Sequence, residues 1–429
     1  MMKKQFFNKS LTELIDLIER GEANVIEIVE SFYDRIDNRE SNVHAWQSLI
    51  DFNCYVEEYE SQKEFYDNSI LKGLPFAVKD IIDTKDITTT MGSEKLYAER
   101  VPVDDAACVT AFKLAGGILM GKTVTTEFAY FSPGKTNNPH HPDRTPGGSS
   151  SGSAAAVADF MVPLALGTQT AASVTRPASY CGTFAYVGSR EEFSLRNIQP
   201  LSESCDSLGV FANSLDDLVL ARRVLQLARI PYKSNLNAKD QLRFAVYSGR
   251  KTFNAEDVVY EKLFSTKEFL EEHDFVFVDV SFESMIAELT ECQINIMAYE
   301  VARNLYYEYR SGQISKQLSN LIEKGLAINY QQWLEAKKKV SGYAADFNQI
   351  FVENKLDFIL APASPGIAPL KAEGTGNPFF SRAWQILGCP SVSLPLFYVN
   401  KHPLGMQILA PQYEDDKLLA IAQRIMNHN

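Results

Sequence analysis

Two stretches of the chain match short functional motifs by residue type and spacing. The first, residues 116–123, reads Gly-Gly-Ile-Leu-Met-Gly-Lys-Thr and has the pattern of a phosphate-binding loop. Such a loop follows a strand and opens a helix, whereas here a helical pattern precedes the motif and a strand-like pattern continues beyond it. We therefore predict no nucleotide phosphate site at this position.

The second stretch, residues 148–152, reads Gly-Ser-Ser-Ser-Gly and matches the turn that presents a nucleophilic serine in many hydrolases. That turn needs a strand directly upstream, but residues 137–146 contain three prolines and have the composition of a loop. The later histidines also stand in contexts that do not suit a catalytic base. The motif alone therefore does not make Ser150 the nucleophile.

The run of glycine and serine at residues 147–153 is compatible with a flexible linker by composition. It leads, however, directly into the small residues 154–158 and the apolar residues 161–166, which predict a helix and a buried strand. A glycine-rich turn before such a helix lets backbone and hydroxyl groups converge at the helix N-terminus. We predict a turn of this kind, with Ser149 in it.

Lys79 and Ser173 are two further candidates, and each has a structural alternative. Lys79 ends an apolar run that points inward, although the three aspartates that follow it would also suit a surface lysine. Ser173 stands 24 residues after Ser149, in Gly-Thr-Gln-Thr-Ala-Ala-Ser. Taken alone, that serine could equally be a helix N-cap.

The segments around these residues closely resemble the amidase signature family. That family pairs a lysine after a short strand with a Gly-Gly-Ser-Ser turn and a Gly-Thr-Asp-Thr-Gly-Gly-Ser stretch. The chain has corresponding segments at 73–79, 147–150 and 167–173. The likeness is strong over residues 70–220 and looser over 355–420, and three segments in register are more specific than any single motif.

The resemblance implies a Ser–cis-Ser–Lys site. It makes Ser173 the nucleophile, Ser149 the bridging serine that follows a cis peptide bond, and Lys79 the base. The chemistry is physically sound, because a serine hydroxyl needs a neighbour to take its proton. A buried lysine can do this when its pKa falls from about 10.4 towards neutrality. Ser149 would relay the proton and later return it to the leaving amine.

The resemblance also implies an oxyanion hole formed by backbone N–H groups of Thr170, Ala171, Ala172 and Ser173. Two alanines stand here where the family usually has two glycines. Because alanine reaches positive φ only at a cost, the hole can form without strain only if φ is negative at both residues. Loss of one such donor costs about 10² to 10³ in rate, so misaimed donors would cripple the site.

Other departures from the family pattern concern the substrate. Gln169 replaces an aspartate, and Arg176 is shifted by one position, which indicates a distinct branch of the family. Residues 185–190 differ from the family's Gly-Leu-Lys-Pro-Thr-like strand end, which lies near the substrate entrance in the family, so we expect an unusual substrate. As substrate contacts we expect Gln169, Phe128 and Trp384. Further aromatic candidates for an apolar pocket wall, each of which is as readily a core or surface residue, are Tyr330, Trp333, Phe379 and Phe380.

The elements that must position these residues alternate in type. The periodicity predicts two N-terminal helices, the first opened by a capping box at Ser10 and Glu13, and a further helix over 106–115. Strand-like runs occupy 74–82, 118–126, 242–247, 275–280, 357–361 and 391–396. The alternation predicts an α/β protein. The resemblance implies a three-layer fold, with a large mixed β-sheet covered by helices on both faces.

We expect a single domain over residues 1–429. N-terminal helices would occupy 1–70 and the signature core 71–220. A helical layer or cap would span 282–351, before the C-terminal part of the core, because apolar residues recur there at helical spacing.

Composition narrows the classes of function. The 429 residues are 45% hydrophobic and 22% charged, as in an ordinary globular protein, and the net charge of −12 argues against nucleic acid or an anionic membrane as a partner. Because we find neither a long apolar run nor a signal peptide, we expect a cytoplasmic protein. The six scattered cysteines have no zinc-ligand spacing, so we expect no structural metal site. The family resemblance implies a reaction that uses no metal and no cofactor.

The resemblance, with Lys79, Ser149 and Ser173 in register, implies a serine-dependent amide hydrolase that acts on a small-molecule carboxamide through an acyl-enzyme on Ser173. A homodimer is left open. Three alternatives also stay open: an A-type subunit of a tRNA-dependent amidotransferase, an acyl transferase that uses an amine in place of water, and a binding protein that keeps the fold without turnover.

Overall fold

One extended mixed sheet organises the residues that the structure, a computed structural model, describes, namely 5–227 and 241–428. Its strands are β1 (Trp46–Leu49), β2 (Pro75–Lys79), β3 (Ile118–Thr123), β4 (Leu164–Gln169), β5 (Phe184–Val187), β6 (Ser207–Ala212), β7 (Arg243–Val246), β8 (Val276–Phe277), β9 (Phe358–Pro362), β10 (Ser391–Val399) and β11 (His402–Leu409). Their order across the sheet is β1-β3-β2-β4-β6-β5-β10-β11-β9-β7-β8.

Helices surround this sheet. They are α1 (Leu11–Glu19), α2 (Val25–Val43), α3 (Phe52–Ser61), α4 (Lys63–Asn68), α5 (Glu94–Tyr97), α6 (Ala107–Leu114), α7 (Ser151–Ala158), α8 (Thr175–Cys181), α9 (Leu215–Leu225), α10 (Asp257–Glu272), α11 (Glu283–Asn304), α12 (Tyr306–Ser311), α13 (Lys316–Ala327), α14 (Tyr330–Asn354), α15 (Phe379–Leu387) and α16 (Asp415–His428). The predicted α/β class, a large mixed sheet with surrounding helices, is confirmed.

The central strands β2, β3 and β4 determine where the candidate residues meet. β2 lies between β3 and β4 and is parallel to both. Every residue of β2 and β4 is buried, as expected for parallel strands covered on both faces. Because parallel strands end at the same edge of a sheet, Lys79 at the end of β2 lies beside the residues that end β4.

The N-terminal region agrees with the predicted helices but also contains a strand. α1 opens with the capping box of Ser10 and Glu13. Between α2 and α3 lies β1, an edge strand that pairs antiparallel with β3. Its four residues show no clean burial alternation, so periodicity could not predict this strand.

The segment 282–351 holds helices, as its periodicity predicts. α11 packs against α13, α14 and α15. The predicted single domain includes residues 1–4, 228–240 and 429, which lie outside the described residues. Of the helices in the described ranges, none has both the length and the apolar content to cross a membrane.

Candidate active site

Lys79 is a buried lysine without a carboxylate partner among the described residues. Its side chain is 0% exposed, and Nζ donates hydrogen bonds to Ser149 Oγ at 2.6 Å and to Thr168 Oγ1 at 2.9 Å. Burial lowers the pKa of Lys79 from its usual 10.5 to about 7, while the charge of Asp206 acts in the opposite direction. A large fraction of Lys79 is therefore the neutral amine at physiological pH, with a lone pair that can accept a proton.

Ser149 lies in a turn whose backbone is tightly constrained. The peptide bond between Gly148 and Ser149 is cis, and Gly147 has φ +83°. α7 then begins at Ser151, and a Cβ at Gly152 would lie 2.3 Å from the backbone nitrogen of Val124. Only glycine fits at that contact, so the glycines of this run form a packed turn rather than a linker.

Ser150, the serine of the formal hydrolase motif, does not line the small cavity that Ser149 and Ser173 share. Its side chain is fully buried, and its Oγ donates to the carbonyl oxygen of Thr168 at 3.3 Å. Its backbone N–H donates to the carbonyl oxygen of Ser173 at 3.2 Å, which holds the two serine segments together.

Ser173 lies in the turn between β4 and α8, and Gln169 holds that turn. Gln169 Oε1 accepts the N–H groups of Val174 and Thr175 at 2.9 and 3.0 Å. Gln169 Nε2 donates to Gln385 Oε1 at 3.0 Å. The first N–H groups of a helix lack partners within that helix, so a side chain at this position stabilises its start. Gln169 therefore positions the segment that carries Ser173.

The segment 170–173 offers free backbone donors. None of its N–H groups donates to an acceptor within the described ranges. Ala171 and Ala172 both have negative φ, so their replacement of glycine adds no backbone strain here. Negative φ at both alanines is the condition that we set above for an oxyanion hole without backbone strain.

Thr170 is held from two sides. Its carbonyl oxygen accepts a hydrogen bond from Gln293 Nε2 at 3.0 Å, and its hydroxyl donates to Asp206 Oδ1 at 2.5 Å. Asp206 Oδ2 accepts the N–H groups of Leu201 and Ser202. Because the Thr170 carbonyl belongs to the same peptide unit as the Ala171 N–H, Gln293 sets the orientation of that donor. Burial raises the pKa of Asp206 to about 7, although its hydrogen bonds counteract that effect.

Two adjoining cavities reach this site. Ser149 and Ser173 line the same small cavity, of about 20 Å³, together with residues 170–172. That is space for about one water molecule. It adjoins a cavity of about 1020 Å³ under α11 and α13, and both cavities are lined by Tyr130, Phe131, Met297, Thr375, Pro378 and Arg382. The body of a substrate would therefore occupy the larger cavity and only its reacting group the smaller one.

The three expected substrate contacts lie outside the linings of both cavities. Gln169 lies in neither cavity lining, because its side chain is bonded within the turn. Phe128 is buried beside the ring of Tyr97, and Trp384 is 2% exposed among core rings, so neither lines these cavities.

Of the further aromatic candidates, one lies at the site. Phe379 lines the larger cavity and stacks on Phe253 with 4.4 Å between ring centroids. Phe380 is buried in the core, and Tyr330 is 62% exposed. Neither Tyr330 nor Trp333 lines either cavity. By sequence these aromatic residues are candidates because they lie in or near segments expected to shape the pocket, but sequence does not specify which neighbour an aromatic ring meets.

Sequence reasoning missed the roles of Arg382, Gln293 and Asp206. Gln293 lies in the middle of α11, 123 residues from Thr170, and no local pattern indicates that contact. A signal did exist for Arg382, because it is the single charged residue of helix α15. The described residues hold no cluster of three or more His, Cys, Asp or Glu suited to a metal ion.

Similarity to known proteins extends along nearly the whole chain. A model of the amidase family matches residues 27–419. The A subunit of glutamyl-tRNA(Gln) amidotransferase from Sulfurihydrogenibium sp. is 26% identical over 99% of this chain and 98% of that relative. Its counterpart from Halothermothrix orenii is 28% identical over 97% and 96%. The solved structure of 6-aminohexanoate cyclic dimer hydrolase with its substrate has a TM-score of 0.87 at 20% identity, covering 98% of this chain and 97% of that one. This last likeness confirms the predicted fold.

Proposed function

The chain belongs to the amidase family, and from that membership we propose that it is a serine-dependent amide hydrolase acting on a small-molecule carboxamide. Ser173 would be the nucleophile, Ser149 the bridging serine and Lys79 the base. The observation that carries the proposal is the hydrogen bond of 2.6 Å from the buried Lys79 to Ser149, which shares a cavity with Ser173.

Acylation would proceed by proton transfer through Ser149. Neutral Lys79 accepts the proton of Ser149, which in turn accepts that of Ser173, and Ser173 Oγ attacks the amide carbon. Negative charge develops on the carbonyl oxygen, where the free N–H groups of Ala171, Ala172 and Ser173 support an oxyanion hole. The proton then returns through Ser149 to the amide nitrogen, the C–N bond breaks, and ammonia or an amine leaves.

Deacylation would use the same residues with water as the nucleophile. Water gives a proton to the Ser149–Lys79 pair and attacks the ester carbon, the bond to Ser173 Oγ breaks, and Ser173 recovers its proton. The products are a carboxylic acid and the free enzyme. An ester substrate would react at the same site by the same steps.

Ammonia release from a panel of primary carboxamides tests this proposal. We expect turnover by the wild type and a loss on the order of 10⁴ or more in Ser173→Ala, as for other nucleophilic serines. Ser151→Ala is the matched control, because Ser151 directly follows the same turn, its Oγ donates to the carbonyl oxygen of Val124 at 3.3 Å, and it does not line the small cavity. Full activity in Ser173→Ala would refute the assignment of the nucleophile, and no turnover of any amide would favour a binding protein.

The amidotransferase relatives support a second candidate. The chain aligns with nearly the full length of those proteins, at 26 to 28% identity. In this alternative the acyl-enzyme forms in the same way, but the released ammonia or the acyl group passes to another acceptor. Adding hydroxylamine and analysing the products tests acyl transfer, which gives mainly hydroxamate where hydrolysis gives mainly acid. Transfer of ammonia leaves the acid, as hydrolysis does, so it is tested by whether added glutamyl-tRNA(Gln) lowers the free ammonia released per acid formed.

A further inference from the structure

Two buried arginines lie in the small cavity with Ser149 and Ser173. Arg176 is 3% exposed and Arg382 is 8% exposed, and both line this cavity. Neither forms an ion pair with any of the residues described. A buried guanidinium stays charged, so its desolvation must be offset by hydrogen bonds or by an anion.

Arg176 is largely satisfied by the backbone. It donates to the carbonyl oxygen of Gly148 at 2.7 Å and to that of Gly376 at 2.6 Å. The first of these carbonyls belongs to the peptide bond that precedes Ser149. Arg176 therefore holds the serine turn, and its charge adds to the positive potential of the cavity.

Arg382 is not satisfied in this way. In the described parts of the chain it donates one hydrogen bond, to Gln293 Oε1, which leaves the rest of its fork of five donors without a protein acceptor. It lines both the small and the large cavity, so it stands where they meet. The carboxylates that line the larger cavity, Glu256 and Glu373, do not line the smaller one.

We propose that the substrate carries a carboxylate close to its scissile amide and that Arg382 binds this carboxylate. The inference rests on the proposed amide hydrolysis and names its substrate class, the monoamides of short dicarboxylic acids. A carboxylate matches the planar fork of arginine and can accept two parallel hydrogen bonds from it. The acid must be close to the amide, since Arg382 and Ser173 line one small cavity.

Gln293 would couple this recognition to the reaction. It accepts a hydrogen bond from Arg382 through Oε1 and donates through Nε2 to the carbonyl oxygen of Thr170. The same peptide unit carries the Ala171 N–H. An arginine ordered by a bound carboxylate therefore orders Gln293 and, through it, one donor of the oxyanion hole, which makes Gln293 a positioning residue.

The first test compares paired substrates. Succinamate and its neutral counterpart butyramide both carry a primary amide, and only the first carries a carboxylate. We expect kcat/KM of the wild type to be higher for succinamate by on the order of 10², the range of a hydrogen-bonded charge. In Arg382→Gln this ratio falls towards one, and Arg382→Lys, which keeps the charge without the fork, retains part of it.

Arg303→Gln is the matched control, because it removes an arginine from α11 that donates to the carbonyl of Tyr299 and lines neither cavity. Its ratio should equal that of the wild type. Equal hydrolysis of the two amides by the wild type overturns the inference while leaving the proposed function intact. An Arg382→Gln variant that loses both activities in equal proportion also overturns it, since Arg382 would then be structural.

Calorimetric titration with malonate, succinate and glutarate gives a reading that does not need turnover. We expect at least one of these diacids to bind the wild type and to bind Arg382→Gln at least about tenfold more weakly. Such binding supports the inference even if no amide is hydrolysed, in which case only the proposed function fails. If none of the three binds the wild type, the inference is overturned.

Discussion

Lys79 shows how one side chain acquires a reactive pKa. The sequence places it at the end of an apolar run, and the fold puts that run between two other buried strands. Desolvation then lowers the pKa of Lys79, while hydrogen bonds to Ser149 and Thr168 hold its position. The inward direction of Lys79 could be predicted from its apolar neighbours, because a strand that is buried on both faces has no surface position.

The pH profile tests the protonation state of Lys79. Only the neutral amine can act as base, and its fraction rises as pH increases through the pKa of about 7. We expect kcat/KM to rise about tenfold per pH unit below that value and to level off above it. Measuring kcat/KM from about pH 5 to about pH 9 with a neutral amide checks this. If kcat/KM instead rises only near the ordinary pKa of lysine, Lys79 is charged in the free enzyme at neutral pH.

Substituting Asp206 gives a second test of the environment of Lys79. Its negative charge raises the pKa of Lys79, so Asp206→Asn should move the acid limb of kcat/KM to lower pH. The variant should also lower kcat, because an amide cannot accept the hydrogen bonds of Thr170, Leu201 and Ser202 as a carboxylate does. An unchanged limb together with unchanged kcat would show that Asp206 does not influence the site.

At the scale of elements, the site depends on where strands end and helices begin. β4 leads into the segment 170–173, and the side chain of Gln169 closes the start of α8. The three motif segments could be located from sequence because each is local. The contacts of Gln293 and Arg382 could not, because they join elements far apart in the chain and depend on how α11 packs on α15.

Trp384 illustrates the limit of a substrate contact expected from sequence. The side chain is buried, and its ring meets Tyr247 and Phe282 rather than a cavity. We expect Trp384→Ala to lower the free energy of unfolding by about 3 to 5 kcal/mol with little change in KM. Phe379→Ala, which alters the larger cavity, should instead raise KM. Urea unfolding and steady-state kinetics of both variants measure this, and the reverse pattern would place Trp384 at the substrate.

At the scale of the whole molecule, Glu300 connects the helical layer to the loop that precedes β6. This residue of α11 accepts hydrogen bonds from Ser202 Oγ at 2.6 Å, from Ser204 N at 3.0 Å and from Trp333 Nε1 of α14 at 3.1 Å. Ser202 also donates its N–H to Asp206. One buried carboxylate thus connects two helices to the loop that supports the segment 170–173.

Substituting Glu300 by glutamine tests this connection. The amide replaces one acceptor with a donor among groups that are themselves donors, so we expect the free energy of unfolding to fall by about 1 to 3 kcal/mol and kcat to fall with it. Glu288→Gln on the same helix is the matched control, since its exposed pair with Lys339 should contribute little to stability. Equal effects of the two substitutions on chemical denaturation would argue against the connection.

The central claim is that Ser173 is a nucleophile activated by Lys79, and active-site labelling tests it most directly. The wild type, Ser173→Ala and Lys79→Ala would be treated with a fluorophosphonate, followed by intact-mass analysis and peptide mapping. We predict one adduct, on Ser173, that is absent from Ser173→Ala and forms much more slowly in Lys79→Ala. An adduct on Ser150, or equally fast labelling without Lys79, would contradict the claim.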